Sequence, residues 1–183
     1  MFVALGLFVA VPGEVLNQIL ARHNIRAFGT TMVSYTMLLV LGFFMARAIG
    51  LLFRPSRARL IHYLLFGSLG LMVEWFLLGN APVLDPLQLI VQPGMFSYWG
   101  TMLLAPLLLM EPGLTDLKKS FLRFFTLMSL TYLLLATALP KERGGIFLAF
   151  VVFAAGTTAL NFFYFRYFRI LACWTTAGTH HVQ

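Results

Sequence analysis

The chain has 183 residues, of which 60% are hydrophobic and only 10% are charged. Soluble domains usually carry about 25% charged residues, so this composition excludes an ordinary water-soluble globular domain. The mean hydropathy of +0.88 indicates a surface that faces lipid, and we expect a single integral membrane domain over residues 1–183. The formal net charge is +7, but no basic stripe or aromatic platform accompanies it, so we expect no nucleic-acid partner.

Six apolar segments predict an all-α fold, a polytopic bundle of about six transmembrane helices. Each segment approaches or exceeds the ~20 residues that cross a membrane, and none shows the period-two alternation of barrel strands. The approximate spans are 1–20, 28–46, 60–78, 87–110, 121–139 and 145–165. The first segment has neither a basic start nor an A-x-A cleavage site, so we interpret it as a retained helix rather than a signal peptide.

Basic residues determine the predicted orientation. Nine of the Lys and Arg residues fall on the side of loops 2–3 and 4–5, and four fall on the other side. The positive-inside rule therefore puts the N and C termini in the cytoplasm, and we expect a bacterial-type inner (plasma) membrane. The lipid bilayer is the expected partner. Anionic lipid headgroups would contact Arg54, Arg57 and Arg59 at the cytoplasmic edge.

Two Pro-Gly pairs predict interruptions in helices 1 and 4. They are Pro12-Gly13 and Pro93-Gly94. Proline removes a backbone donor and clashes with the preceding turn, and discontinuous helices present freed backbone groups to ligands in transporters. The alternative for helix 1 is that Pro12 only kinks it and that Glu14 hydrogen-bonds the loosened turn.

Two carboxylates, Glu14 and Glu74, lie inside apolar spans. An acid at the centre of a membrane helix costs ~2.5–3.5 kcal/mol, so such acids usually face the bundle interior or a watery cavity. At 1.5 Å per residue they lie roughly 12 and 9 Å below the outer boundary, in the same leaflet, where they could meet. The alternative for Glu74 is an interfacial acid beside Trp75 that reaches the headgroups.

Further polar and aromatic residues in the outer leaflet predict a pocket that opens outward. The i, i+3, i+4 spacing of Glu14, Asn17 and Gln18 predicts one shared face of helix 1. Gly67 and Gly70 offer a small face on helix 3 where another helix can approach closely. A cationic ligand is favoured because this region holds acids and no Lys or Arg. The candidate ligand-binding residues are Glu14, Asn17, Gln18, Glu74, Trp75, Gln92, Tyr98 and Trp99.

The sequence predicts neither a metal site nor a cofactor. No phosphate-binding loop, Gly-x-Ser-x-Gly elbow or His-Glu-x-x-His motif is present. None of His23, His62, His180 and His181 has a second ligand four residues away. Cys173 is the only cysteine, so the chain forms no intrachain disulfide.

Three functional hypotheses fit these patterns. The first is a protein that binds or transports a small cationic or lipid-like molecule. The second is a membrane-embedded enzyme that acts on a lipid or isoprenoid with Glu14 and Glu74 as acid and base. The third is a structural or assembly subunit with a membrane-protein partner, or a homo-oligomer. The first is preferred only because intramembrane acids are usually functional.

Overall fold

A computed structural model of the protein describes residues 1–79 and 86–138, together with single positions and pairs between 148 and 159. This part of the chain folds into helices joined by short turns and contains no strand. The helices are α1 (Phe2–Glu14), a π-helical segment (Val15–Ala21), α2 (Ile25–Leu52), α3 (Pro55–Phe76), α4 (Pro86–Met110) and α5 (Thr115–Ala138). The all-α fold class is therefore confirmed.

Among the residues that the structure describes, four stretches are long and apolar enough to cross a membrane, namely Phe2–Ala21, Ile25–Leu52, Gln92–Met110 and Thr115–Ala138. They correspond to the predicted spans 1, 2, 4 and 5, so the membrane class is confirmed at this level. Helix α3 has 22 residues but is not among the four. The predicted span 145–165 lies largely outside the described residues. The count of six helices and the location of the termini therefore stay predictions.

The two Pro-Gly pairs do not break their helices. The predicted interruption of helix 4 is wrong, because α4 runs without a break through Pro93 and Pro106. A proline removes one donor and bends the axis, while the neighbouring backbone bonds hold the helix together. In helix 1 the α-helical bonding continues through Pro12 to Glu14 and then widens to i→i+5 bonding over Val15–Ala21. Such π-helical turns occur frequently at functional sites.

Glycines let α3 and α4 approach closely. A Cβ atom at Gly70 would lie 2.1 Å from Cγ of Trp99, and one at Gly67 would lie 2.8 Å from the ring of Phe96. Any larger residue would overlap these rings, so the prediction of a close helix contact at Gly67 and Gly70 is confirmed. On α4, Gly100 similarly makes room for the ring of Tyr63.

The helices alternate in direction, which divides the bundle into two halves. The predicted outer half contains the end of the π-helical segment, the start of α2, the end of α3, the start of α4 and the end of α5. The predicted cytoplasmic half contains the start of α1, the α2–α3 turn and the α4–α5 turn. Large apolar side chains such as Val33, Met37 and Leu134 stay exposed, as a surface in contact with lipid requires.

Candidate functional site

Glu14 lies at the junction between α1 and the π-helical segment, and its side chain is only 2% exposed. Its Oε1 atom accepts a hydrogen bond from the hydroxyl of Tyr98 at 3.0 Å and another from that of Tyr35 at 3.3 Å. Its Oε2 atom has no hydrogen-bond partner among the described residues. One oxygen is thus held by two tyrosines, while the other is a buried acceptor that no described residue reaches with a donor.

The sequence around Glu14 explains how Tyr98 reaches it. The neighbouring residue is Gly13, and a Cβ atom there would lie 3.4 Å from the hydroxyl oxygen of Tyr98. That distance is ordinary van der Waals contact, so the hydroxyl of Tyr98 lies directly against this part of α1. Pro12 lacks a backbone donor, which loosens the turn that carries Glu14 and precedes the change to π-helical bonding.

Glu74 is connected to the same region through aromatic rings. The indole Nε1 of Trp99 donates a hydrogen bond to Oε1 of Glu74 at 2.9 Å. The Trp99 ring stacks on that of Tyr35, with 4.2 Å between centroids and 28° between planes. Both rings are almost completely buried. The two acids therefore lie in the same half of the bundle, with the Tyr35–Trp99 stack joining them, and Glu74 is turned toward the bundle interior.

Trp75 and Gln92 form a separate contact between α3 and α4. The indole Nε1 of Trp75 donates to Oε1 of Gln92 at 2.7 Å. Glu74 and Trp75 are adjacent in sequence, yet they bond to α4 residues seven positions apart, or about 10 Å along that helix. The Trp75–Gln92 pair therefore holds the outer ends of α3 and α4 together, away from Glu14.

The predicted shared face of Glu14, Asn17 and Gln18 is divided in the structure. Gln18 is 9% exposed and lies beside the Glu14 carboxyl group. Its Oε1 atom has no hydrogen-bond partner in the part of the chain that the structure describes. Asn17 instead accepts a hydrogen bond from the hydroxyl of Tyr132 on α5. The wider turn of the π-helical segment changes the direction of Asn17, because i+3 neighbours no longer align as they do in an α-helix.

We call the resulting arrangement the carboxylate cluster. It contains Glu14, Gln18, Tyr35, Glu74, Tyr98 and Trp99. Its central side chains are packed against each other. The pocket that opens outward stays a prediction. The cluster retains two buried acceptors without described partners, on Glu14 and Gln18. Such a site can accept hydrogen bonds from a ligand that carries N–H or O–H groups.

Three residues of this region were missed as site residues. Tyr35 lies on the same face of α2 as Thr31, four residues earlier, and that spacing could have identified it. Tyr132 and Arg22 gave no such signal, because α5 carries no acid near Tyr132 and Arg22 belongs to a turn. Arg22 interacts electrostatically with Glu14 and contacts the hydroxyl of Tyr132.

The arginines that were predicted to contact anionic headgroups differ in their surroundings. Arg54 and Arg57 are exposed at the start of α3. Arg59 is 13% exposed and forms an ion pair with Glu111, with 2.5 Å between Nη2 and Oε2. Arg59 therefore faces the bundle, whereas Arg54 and Arg57 face outward.

Neither a metal centre nor a relative identifies the site. Within residues 1–79 and 86–138, no group of three or more His, Cys, Asp or Glu side chains could hold a metal ion. No protein-family model, curated protein or solved structure matches the chain.

Proposed function

We propose that the protein is a small integral membrane protein that binds or transports a small cationic, amine-bearing molecule through the carboxylate cluster. The observation that carries this proposal is Glu14, a buried carboxyl group with one oxygen held by two tyrosines and the other without a partner among the described residues. A buried acceptor that lacks a partner costs about 1–3 kcal/mol. A ligand that donates a hydrogen bond to Oε2 would recover that cost.

The chemistry of the cluster supports a cation rather than an anion. Glu14 and Glu74 would each supply a negative charge when ionised, and the acceptor on Gln18 supplies a second position for an N–H donor. The rings of Tyr35, Tyr98 and Trp99 add electron-rich faces. Cation–π contacts with such faces contribute about 2 kcal/mol when desolvated. Arg22 lies at the end of the π-helical segment, where its charge opposes a cation less than it would inside the cluster.

Ligand entry requires the cluster to open, and the π-helical segment offers a way. Its i→i+5 bonds can convert to i→i+4 bonds by a shift of one residue in the bonding pattern. That shift would rotate Gln18 and Asn17 relative to Glu14 and separate Asn17 from Tyr132. The proposed cycle therefore alternates between the arrangement described above and one in which Oε2 of Glu14 faces the predicted outer side.

The proposed topology is six spans with both termini in the cytoplasm of a bacterial-type cell, in its plasma membrane. The distribution of nine Lys and Arg residues against four supports this orientation. A transmembrane position for α3 is supported because its polar groups bond to α4 inside the bundle, as His62 and Glu74 do. Exposed Arg54 and Arg57 would then contact anionic headgroups at the inner surface.

The enzyme hypothesis is less well supported by the geometry. Acid–base chemistry on one substrate needs both carboxyl groups within reach of the same reacting atoms. The Tyr35–Trp99 stack stands between Glu14 and Glu74, and Glu74 is already bonded to Trp99. No specific contact favours the hypothesis of a structural subunit.

Equilibrium binding of benzylammonium to the purified protein tests the proposal. Trp99 stacks on a ring of the cluster, so binding should change the tryptophan fluorescence. We expect saturable binding by the wild type and a loss of at least about tenfold in affinity for Glu14→Gln, since a charge-assisted hydrogen bond contributes about 1.5–3 kcal/mol.

Asp116→Asn is the matched control, because Asp116 is an exposed acid at the start of α5 in the other half of the bundle. It removes the same charge and should leave the affinity unchanged. Thermal unfolding of each variant shows whether it is folded. Equal affinity of folded Glu14→Gln and wild type would refute the role of Glu14.

A further inference from the structure

The predicted cytoplasmic half contains a cavity of about 200 Å³ between α2, α3 and α4. Its walls are mostly small or apolar and include Ala46, Gly50 and Leu107. Three polar side chains, Arg59, His62 and Glu111, also line it. The cavity is a region separate from the carboxylate cluster, because His62 and Glu74 are twelve residues apart on α3, or about 18 Å along its axis.

His62 presents an unused acceptor in this region. Its side chain is 1% exposed, and its Nε2 atom lies 3.1 Å from the backbone oxygen of Leu103. A carbonyl oxygen only accepts, so Nε2 carries the hydrogen, and in the neutral ring Nδ1 is then an acceptor. Nδ1 has no hydrogen-bond partner among the described residues. His62 is one of the residues that line the cavity, and its Nδ1 atom can accept a hydrogen bond from a donor that reaches it.

His62 bonds to α4 close to a proline of that helix. Pro106 lacks an N–H group, so the carbonyl four residues earlier, that of Met102, has no helical donor. His62 donates to the next one, that of Leu103, which fixes the orientation of the imidazole ring.

Arg59 and Glu111 supply opposite charges at the same cavity. They form an ion pair in which Arg59 donates from Nη2 and Glu111 accepts at Oε2. The cavity wall therefore carries one guanidinium donor, one carboxylate acceptor and one imidazole acceptor. A ligand that matches these three groups has a cationic N–H donor at one end and an anionic acceptor at the other.

We propose that the cavity binds a zwitterion with a primary ammonium group and a phosphate, as in the headgroup of an ethanolamine phospholipid. The ammonium N–H groups would donate to Glu111 and to Nδ1 of His62, and the phosphate would accept from Arg59. A choline headgroup has no N–H to donate, and a glycerol headgroup brings no positive charge to Glu111. Both would therefore bind less tightly.

The position of the cavity favours a lipid over a soluble zwitterion. It lies beside the α2–α3 turn, where Leu51 and Leu52 are 88% and 76% exposed. These side chains offer an apolar surface along which acyl chains can lie while the headgroup enters the cavity. The apolar walls of the cavity fit the glycerol and ester region that follows the phosphate.

Native mass spectrometry of the delipidated full chain tests this proposal. The probes are the dioleoyl forms of phosphatidylethanolamine, phosphatidylcholine and phosphatidylglycerol at equal concentration, and free phosphoethanolamine. We expect phosphatidylethanolamine to bind about tenfold more tightly than either other lipid, the equivalent of about 1.4 kcal/mol. Equal binding of the three lipids would overturn the proposal. If free phosphoethanolamine binds as tightly as the lipid, the proposal that the ligand is a lipid would be refuted.

Two variants and a control link the preference to the cavity. Glu111→Gln removes the carboxylate charge, and His62→Phe removes the acceptor at Nδ1 together with the donor at Nε2. Each should reduce the preference to about twofold or less, since one variant loses the charge that attracts the ammonium group and the other loses an acceptor for it. Asp116→Asn should retain the full preference. A preference that persists in both folded cavity variants would overturn the proposal.

Discussion

This bundle contains two polar regions, the carboxylate cluster and the Arg59–His62–Glu111 cavity, which lie about 18 Å apart along α3. They differ in the side chains that surround their polar groups. In the cluster, large aromatic side chains supply O–H and N–H donors to the acids and fill the space around them. At the cavity, small residues such as Ala46 and Gly50 leave space beside the polar groups. Aromatic side chains therefore pack around the acids of the cluster, whereas small side chains leave space beside the polar groups of the cavity.

Opposing residues explain this difference at the level of packing. In the predicted outer half, Gly70 of α3 faces Trp99 of α4 directly. The ring of Trp99 occupies the space that a side chain at Gly70 would take. In the predicted cytoplasmic half, a Cβ atom at Gly50 would meet nothing within 4 Å. In this bundle, a glycine is therefore packed closely where a bulky residue lies opposite it, as at Gly70, and is not where none does, as at Gly50.

The largest expected effect on stability comes from adding one methyl group at Gly70, beside the carboxylate cluster. Gly70→Ala would place a carbon 2.1 Å from Trp99, which Tyr35 and Glu74 hold in place. We expect a loss of about 3 kcal/mol in the free energy of unfolding, the upper part of the range for overpacking. Gly29→Ala is the control, since nothing lies within 4 Å of that position. Denaturant unfolding in detergent measures both, and a Gly70→Ala variant as stable as the wild type would contradict the proposed packing.

Removing one donor from Glu14 should have the next largest effect. Tyr98→Phe leaves the Glu14 carboxyl group with a single tyrosine donor and should cost about 1.5–3 kcal/mol, as for hydrogen bonds to charged groups. Tyr63→Phe breaks the neutral bond to Ser97 and should cost only about 0.5–1.5 kcal/mol. A cycle of Tyr98→Phe with Glu14→Gln should show a coupling energy of about 0.5–3 kcal/mol. Strict additivity of the two changes would argue against the bond.

The ion pair at the cavity should contribute less than the cluster bonds. Arg59 and Glu111 are 13% and 31% exposed, so solvent and salt screen their attraction. We expect Arg59→Gln to lower the free energy of unfolding by about 1 kcal/mol or less. The difference from the wild type should shrink between 0.05 and about 0.5 M salt, as expected for screening at these ionic strengths. A loss that is larger than that of Tyr98→Phe and insensitive to salt would reverse the comparison between the two regions.

The smallest effect should be a gain in stability at the cavity wall. Gly50→Ala adds a methyl group where nothing lies within 4 Å and replaces a flexible residue inside α2. We expect an increase of about 0.5–1 kcal/mol in the free energy of unfolding, from the lower entropy of the unfolded chain. Thermal unfolding checks it. A destabilised variant would show that the space beside Gly50 is occupied in solution.

The sequence predicted the elements whose signal is local. Apolar runs identified the helices, and Gly67 and Gly70 indicated the close contact between α3 and α4. Helix α2 nevertheless extends beyond its predicted end, to Leu52, because the apolar run was ended at the first charge. The Arg47 guanidinium lies 4.7 Å from the centre of the Phe43 ring, so this charge is accommodated within the helix instead of ending it.

The partners of the polar residues could not be predicted in the same way. Helix directions placed Glu14 and Glu74 in one half of the bundle, but the rotation of each helix decides which ring each acid meets. In the π-helical segment, Asn17 points toward Tyr132 and not along the face of Glu14. The i, i+3, i+4 spacing rule applies to α-helices, so it could not predict this direction. The spacing of possible metal ligands predicted no role for His62, whereas its surroundings depend on a backbone carbonyl of α4 and on a cavity between three helices.

Site-specific labelling with a lipid-soluble carbodiimide tests the central claim most directly, because the reagent forms an N-acylurea with a carboxyl group in apolar surroundings. Glu14 is 2% exposed and keeps Oε2 without a partner in the described part of the chain. We expect peptide mass spectrometry to find label on Glu14 and benzylammonium to protect this residue, with the label on Glu111 unchanged. Labelling of Glu14 that is indifferent to benzylammonium, or no labelling of Glu14 at all, would contradict it.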